Sequence, residues 1–508
     1  EITLPKISST IQEKGGALYV QYNGNKPTDQ YAVRVSGGTK FPILNLYHVS
    51  EEEYGKRISS YVQELKAYVA ELEKQHEKLH STSENENVAY AYDAKNCILN
   101  VTDIQMDKVM ISVPASQILA GLSGGNEEQK LLSAVQAMDG MLTLFYQHKG
   151  LTDSFAEGTD QAIIEKNHLP YRYLNIRYMK MFAGAFMYAA GNHIGIEWNE
   201  TRGMVGNSPV VSDENGKYIS GRYFGWGIAH EIGHEINQSA YAHAEVTNNY
   251  FSVLAQAKDR NDSVRFKYPE VFKKVTSGTW GYASNVFTQL GMYWQLHLAY
   301  DRDYNYKTYA TYQEIFDHLF FARVDSYARN PESAPAPGNI MLALDSDRDQ
   351  NLMRLASAAA EKNLTEFFTR WGMQPDAATL SYMEQFAEEK RAIYYVDDTA
   401  RVYEIEHGTS ASIVGKNVVT ANASEKDSEV TITMNFTGNS EVLQGYEIVR
   451  VFTEQGEERR EVAGFTQENT FTDNAAFAAN HVVIYEVTAI DKFMNRSSVC
   501  QTKEVKIT

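Results

Sequence analysis

Residues 225–257 read GWGIAHEIGHEINQSAYAHAEVTNNYFSVLAQA, and the rest of the chain reads as support for them. Inside lies His230-Glu231-Ile232-Gly233-His234. Side chains four residues apart on a helix stand one above the other on one face, so two imidazoles at this spacing can share a metal ion. Glu231, next to the first His, is placed where a general base reaches a water on that metal. A catalytic zinc takes three protein ligands and leaves one position for water. Glu245, eleven residues after His234, is the best candidate for the third ligand. His243 is its rival, since imidazole is an equally good zinc donor. From Glu245 a second helical pattern begins, with Val246, Tyr250, Val253, Leu254 and Ala257 on one apolar face. Glu245 is expected in the first turn of that helix. Asn249, one turn on, is placed to hydrogen-bond the second nitrogen of a ligand imidazole and fix its tautomer.

Working outward, Trp226 precedes His230 by four residues and so lies one turn up on the ligand face. It either stacks on a sugar or packs the start of the helix. Residues 193–198 (HIGIEW) read as a strand, with His193 either a substrate contact or a hydrogen-bonded structural His. The Gly- and Tyr-rich stretch 212–224 is expected to loop over the site. Residues 280–300 (WGYASNVFTQLGMYWQLHLAY) read as an apolar helix behind it. Tyr282 and His297 there are candidates for stabilising the oxyanion formed when water attacks a carbonyl.

GWGIAHEIGHEINQ followed by EVTNNYFSVL resembles the M60-like (enhancin-like, mucin-targeting) metallopeptidases of the gluzincin group. Similarity continues through GALYVQYNG near 16–24, VMISVPASQIL at 109–119, LGMYWQLHLAY at 290–300 and NLTEFFTRWGMQPDAATLSYM at 363–383. The resemblance implies an α+β gluzincin-type zinc metallopeptidase catalytic domain with an N-terminal β accessory region. One Zn²⁺ would be held by His230, His234 and Glu245, with Glu231 as the base. It also implies a mucin-type, O-glycosylated protein substrate cut beside the sugar, and a glycan contact near the site. In gluzincins a sheet edge beside the zinc holds substrate in extended form, a role that position suggests for 193–198. Two other readings stay open. One is a general secreted metallopeptidase acting on unglycosylated protein. The other is a glycan-binding adhesin with a structural zinc, although such a site fills all four positions and has no use for Glu231.

The totals fit several globular domains. The chain has 508 residues, 43% apolar and 22% charged, and a net charge of −18. That charge argues against nucleic acid and anionic membrane surfaces as partners. Two cysteines, Cys97 and Cys500, exclude a disulfide framework. No run of 18 apolar residues exists, so no transmembrane helix is expected. The chain opens at Glu1 without a signal peptide, which reads as a processed start, and the expected location is secreted or on a bacterial cell surface.

Residues 1–50 are expected to form the N-terminal β accessory region, with strands around Leu18–Tyr22 and Tyr31–Val35 and a turn at Asn23-Gly24-Asn25. Residues 51–394 are the catalytic region. It opens with a helix over 51–80 whose Ile58, Val62, Leu65, Val69, Leu72 and Leu79 follow a spacing of 3–4 residues interrupted only by His76, a stripe for packing inside the domain. A polar loop over 81–96 and a long helix over 126–149 come next; further helices are expected at 347–372 and 376–392. From 395 to 508, segments such as VYEIEH, EVTITMNF and HVVIYEVTAID are short strands at sandwich spacing, resembling a fibronectin-III or immunoglobulin-like module.

Overall fold

The computed structural model describes residues 17–20, 34, 38–75, 98–171, 173–179, 181, 184–191, 193–206, 226–258, 265–303, 306–478 and 481–507. The expectations for Asn23-Gly24-Asn25, for Tyr31, Val33 and Val35, and for the loops 81–96 and 212–224 fall outside them. The chain divides into two compact units: residues 1–143, 170–235 and 255–261, and residues 144–169, 236–254 and 262–508.

The first unit is built on a six-stranded sheet of order β1-β2-β3-β4-β6-β5. The strands are β1 (Ile43–Asn45), β2 (Thr102–Gln105), β3 (Val109–Val113), β4 (Leu174–Tyr178), β5 (Met187–Ala190) and β6 (His193–Ile196). Pairing is mixed: β2–β3 and β5–β6 run antiparallel, the rest parallel. The one strand described in the 1–50 region, β1, thus belongs to the main sheet. Helix α1 (Glu51–Gln75) turns Ile58, Tyr61, Val62, Leu65, Val69 and Leu72 inward, each 5% exposed or less. Each such burial is worth about 1.5–3 kcal/mol, which fixes the stripe inside the unit. Two polar contacts set its rotation: Tyr61 Oη to Thr102 Oγ1 at 2.8 Å, and Tyr68 Oη donating to the Leu99 carbonyl at 2.6 Å. Helix α2 (Ala115–Leu122) comes directly after Pro114.

Residues 193–196 are a strand, as their pattern suggests, but not an edge. Strand β6 is paired on one side with β4 and on the other with β5. Its backbone groups are therefore taken by the sheet, and strand addition to 193–198 is ruled out. The edge beside it is β5. Gly195 is required here, because a Cβ would come within 2.2 Å of the Tyr188 ring that lies across β6.

The second unit receives the last turn of α3 (Glu127–His148). Helix α4 (Ile228–Ile236), which carries the histidine motif, belongs to the first unit up to Glu235, and α5 (Asn249–Lys258), which carries the apolar pattern after it, belongs to the second up to Leu254. Helix α6 (Val286–Tyr300) starts later than its sequence suggests: Gly281 has φ +80°, and Asn285 caps the helix by accepting from the Phe287 N–H at 2.9 Å. Next come α7 (Phe320–Arg329) and α8 (Arg348–Ala360). The helix expected over 376–392 covers only Ala377–Met383. Beyond it the backbone pairs with Asn363 instead, through Asn363 N to Ala387 O and Glu389 N to Asn363 O.

VYEIEH also departs from expectation. It lies in helix α9 (Asp398–His407), because Asp397 caps the first turn by accepting from Ala400 N at 2.7 Å. Alternation over six residues could not tell that helix from a strand. From Val419 onward the strand reading holds. One sheet has the order β10-β9-β12-β13 with β14 also on β12; the other is β11-β8-β7. Their ranges are β7 (Val419–Lys426), β8 (Glu429–Phe436), β9 (Leu443–Glu454), β10 (Glu457–Thr466), β11 (Thr470–Asn474), β12 (Val482–Asp491), β13 (Cys500–Gln501) and β14 (Val505–Lys506). Val430, Ile432, Met434, Tyr446, Ile448 and Val487 from both sheets share one core.

This two-sheet module is joined firmly to the helices of its unit. Tyr395 stacks on Phe465 with ring centres 4.0 Å apart, and its hydroxyl donates to Glu447 at 2.7 Å. Arg370 pairs with Glu447 at 3.0 Å and Arg496 with Glu366 at 2.7 Å. Among the described residues no helix is long and apolar enough to cross a membrane.

Candidate metal centre

Helix α4 buries Ile228, Ala229, Ile232 and Gly233 and leaves His230 and His234 half-buried. Their Nε2 atoms are 3.2 Å apart. Zinc–nitrogen bonds of about 2.0–2.1 Å at tetrahedral angles put two imidazole nitrogens about 3.3 Å apart, so the pair already has the bite of a zinc site. Glu231, between them on the helix, is 9% exposed. Glu235 fastens the helix. Burial pushes its carboxyl above the usual carboxylate range, against a hydrogen bond from the Ala190 N–H of β5.

Glu245 stands four residues before α5, not in its first turn. Its φ of +65° is left-handed, which no helical residue has. The turn closes on His243, whose carbonyl accepts from the N–H groups of Val246 and Thr247 at 3.1 and 3.0 Å. A bond runs from Asn249 Nδ2 to the Glu245 carbonyl at 2.7 Å. It holds the turn, and the turn presents Glu245 exposed. A left-handed non-glycine residue costs roughly 1–3 kcal/mol and persists where surrounding structure enforces it, often at functional sites.

His243, the rival ligand, is engaged elsewhere. Its Nε2 lies 2.8 Å from Asp349 Oδ1 and 3.0 Å from the Tyr282 hydroxyl. Tyr282 also donates to Asp349. Burial works to raise the Asp349 carboxyl, but the bonds from His243 and Tyr282 outweigh it and hold it below the usual range. Burial, with Tyr293 and Asp349 nearby, pushes the Tyr282 phenol well up, so it remains a neutral donor. Asp349 was not legible in the sequence: DSDRDQN at 345–351 looks like an ordinary acidic helix start.

The remaining sequence candidates separate. Trp226 is 7% exposed, leaving little of its ring open. His193 is bonded through Nε2 to the Tyr188 hydroxyl at 2.9 Å. His297, read as an oxyanion donor, is 1% exposed within α6 and paired with Asp301 at 2.9 Å, so it faces the protein interior and cannot meet a substrate carbonyl. Trp280, by contrast, is 72% exposed two residues before Tyr282. The sequence reading passed over it.

The protein-family model described as "Peptidase M60, enhancin and enhancin-like" matches residues 99–372, more than half of the 508-residue chain. Among curated proteins, none matches the sequence. Solved structures do. The M60 catalytic domain of Clostridium perfringens ZmpC, in complex with the sialyl T antigen, aligns at 19% identity and TM-score 0.57, covering 92% of this chain and 76% of that one. The ZmpB metallopeptidase of the same organism aligns at 19% identity and TM-score 0.59, covering 92% and 77%. A metallopeptidase in complex with Tn antigen aligns at 18% identity and TM-score 0.52, covering 90% and 76%. At these identities the likeness is one of fold.

Proposed function

Because the chain belongs to the family of peptidase M60, enhancin and enhancin-like proteins, we propose that it is a zinc-dependent endopeptidase that cuts O-glycosylated, mucin-like proteins. The observation that carries this reading is the pair of half-buried imidazoles with Nε2 atoms 3.2 Å apart on a helix that also holds Glu231. We assign His230, His234 and Glu245 as the ligands. Glu245 is preferred to His243 because the His243 Nε2 already faces Asp349 and Tyr282. When bound, zinc supplies a Lewis acid and an acidified water. Glu231 takes a proton from the attacking water on its carboxylate and returns it to the leaving amine. Asn249 acts on the site by fixing the Glu245 turn.

Tyr282, a neutral phenol whose one proton is directed at Asp349, is our choice for the donor to the developing oxyanion, toward which that proton would turn. For the sugar we favour the exposed face of Trp280. Trp226 would then pack the helix start, and His193 would stay a partner of Tyr188. The glycan complexes of two fold neighbours support the substrate class. A mucin substrate also places the enzyme outside the cell, secreted by a bacterium or on its surface. The two-sheet module is read as fibronectin-III or immunoglobulin-like.

The test is intact mass spectrometry of a mucin-type glycopeptide and its deglycosylated twin, each incubated with zinc-loaded protein. Cleavage of the glycosylated peptide alone is expected. Equal cleavage of both would leave a general metallopeptidase. Binding without cleavage of either would leave an adhesin.

A further inference from the structure

Inside the second unit, two helices and the residue that caps one of them bring three further donors together. His148 closes α3, His297 lies in the last turn of α6, and Asp301 is the C-cap of α6. They are 2%, 1% and 3% exposed. One ligand atom of each lies within 4.8 Å of the others. His297 Nδ1 is 2.9 Å from Asp301 Oδ2. The Tyr250 hydroxyl stands 2.9 Å from His148 Nδ1 and 3.3 Å from His297 Nδ1.

We propose that this cluster is a second metal site, closed and structural, for a divalent ion of the zinc class. His148 Nδ1, His297 Nδ1 and Asp301 Oδ2 are its ligands, and the Tyr250 hydroxyl oxygen is the fourth donor. The proposal stands apart from the peptidase reading and uses none of its residues. Four donors from three chain segments lie together, with His297 Nδ1–Asp301 Oδ2, Tyr250 Oη–His148 Nδ1 and Tyr250 Oη–His297 Nδ1 separations of 2.9, 2.9 and 3.3 Å. That is close to the spacing of donors around a small ion with bonds of about 2.0–2.2 Å. Two imidazoles and a carboxylate select a zinc-like ion over calcium or magnesium, which take oxygen ligands.

The donors are themselves braced. The Phe320 N–H donates to Asp301 Oδ1 at 2.8 Å, and Arg401 Nη2 donates to the Asp301 carbonyl at 2.6 Å. Such outer bonds aim ligands at a metal. Aromatic walls close the space, with the Trp294 ring centre 4.4 Å from that of His297. A site with four protein donors, on residues no more than 5% exposed, holds structure together. This one ties α3, α5 and α6 to each other and, through Asp301, to the start of α7.

The experiment is a metal count by inductively coupled plasma mass spectrometry on full-length protein loaded with Zn²⁺ and desalted. Two equivalents are expected in the wild type. One should remain in the His230→Ala/His234→Ala variant, and one in the His148→Gln/His297→Gln variant. No equivalent left in His230→Ala/His234→Ala overturns the proposal, as does a count in His148→Gln/His297→Gln that equals the wild type's. Should that variant not fold, chelator competition decides. The equivalent left in His230→Ala/His234→Ala should resist EDTA for hours, and its loss on mixing overturns the site. Inactivity toward glycopeptides alters neither count.

Discussion

Two pairs of histidines in this protein carry the same donor atoms in opposite surroundings. His230 and His234 are half-buried, sit one turn apart on a single helix, and have Glu231 beside them. His148 and His297 come from different helices, are 2% and 1% exposed, and meet a carboxylate that is also buried. The difference teaches that accessibility, and not ligand identity, separates a centre that can turn over substrate from one that can only hold. An open pair can exchange water and admit a carbonyl. A closed pair can do neither, and its disturbance appears in stability.

The sharpest break of this comparison is Glu231→Gln. It should cut turnover by about 10²–10⁴-fold while metal content and thermal stability stay at wild-type levels. Peptide cleavage and metal analysis on one preparation check it, and retained turnover would remove Glu231 from its role. The interior answers in the other currency. Lys149 and Asp325 form a buried ion pair, with side chains 6% and 0% exposed. Lys149→Met strands the carboxylate and should lower unfolding free energy by about 3–5 kcal/mol in urea denaturation. The exposed pair Lys66–Glu127, at 3.1 Å, is the control, and Lys66→Ala should change stability by less than about 1 kcal/mol.

Between these lies a matched pair of variants without added metal. His297→Ala breaks a buried polar network and should destabilise by about 1–3 kcal/mol, whereas His230→Ala should abolish activity with little change in melting temperature. Equal destabilisation by both would erase the distinction. Tyr282→Phe removes the hydroxyl assigned to the oxyanion and should lower kcat by about 10²–10³-fold with KM nearly unchanged. A rise in KM alone would make Tyr282 a binding residue.

The same contrast explains what could be read from the sequence. His230 and His234 were legible because one helical repeat places them, with no help from the rest of the chain. The α1 stripe and the strands after Val419 were legible for the same reason, since their periods are local. Glu245 was singled out by spacing, but its left-handed turn was not legible: nothing in the run of small residues before it announces a positive φ. His148 and Asp349 could not be found, because each meets its partners far along the chain, while His297 was singled out for a role at odds with its 1% exposure. VYEIEH failed differently, since an apolar–polar alternation of six residues satisfies a strand and a short capped helix alike.

The joint between the two-sheet module and its helices has a mechanical consequence. Tyr395 against Phe465, Arg370 on Glu447 and Arg496 on Glu366 leave no slack linker to absorb strain. A pull applied through β9 or β10 therefore reaches Arg370 and Tyr395, and through the Gln295 amide on the Tyr394 carbonyl reaches α6, rather than being dissipated in a tether. A cargo or anchor grafted there would steer that helix as a handle steers a blade.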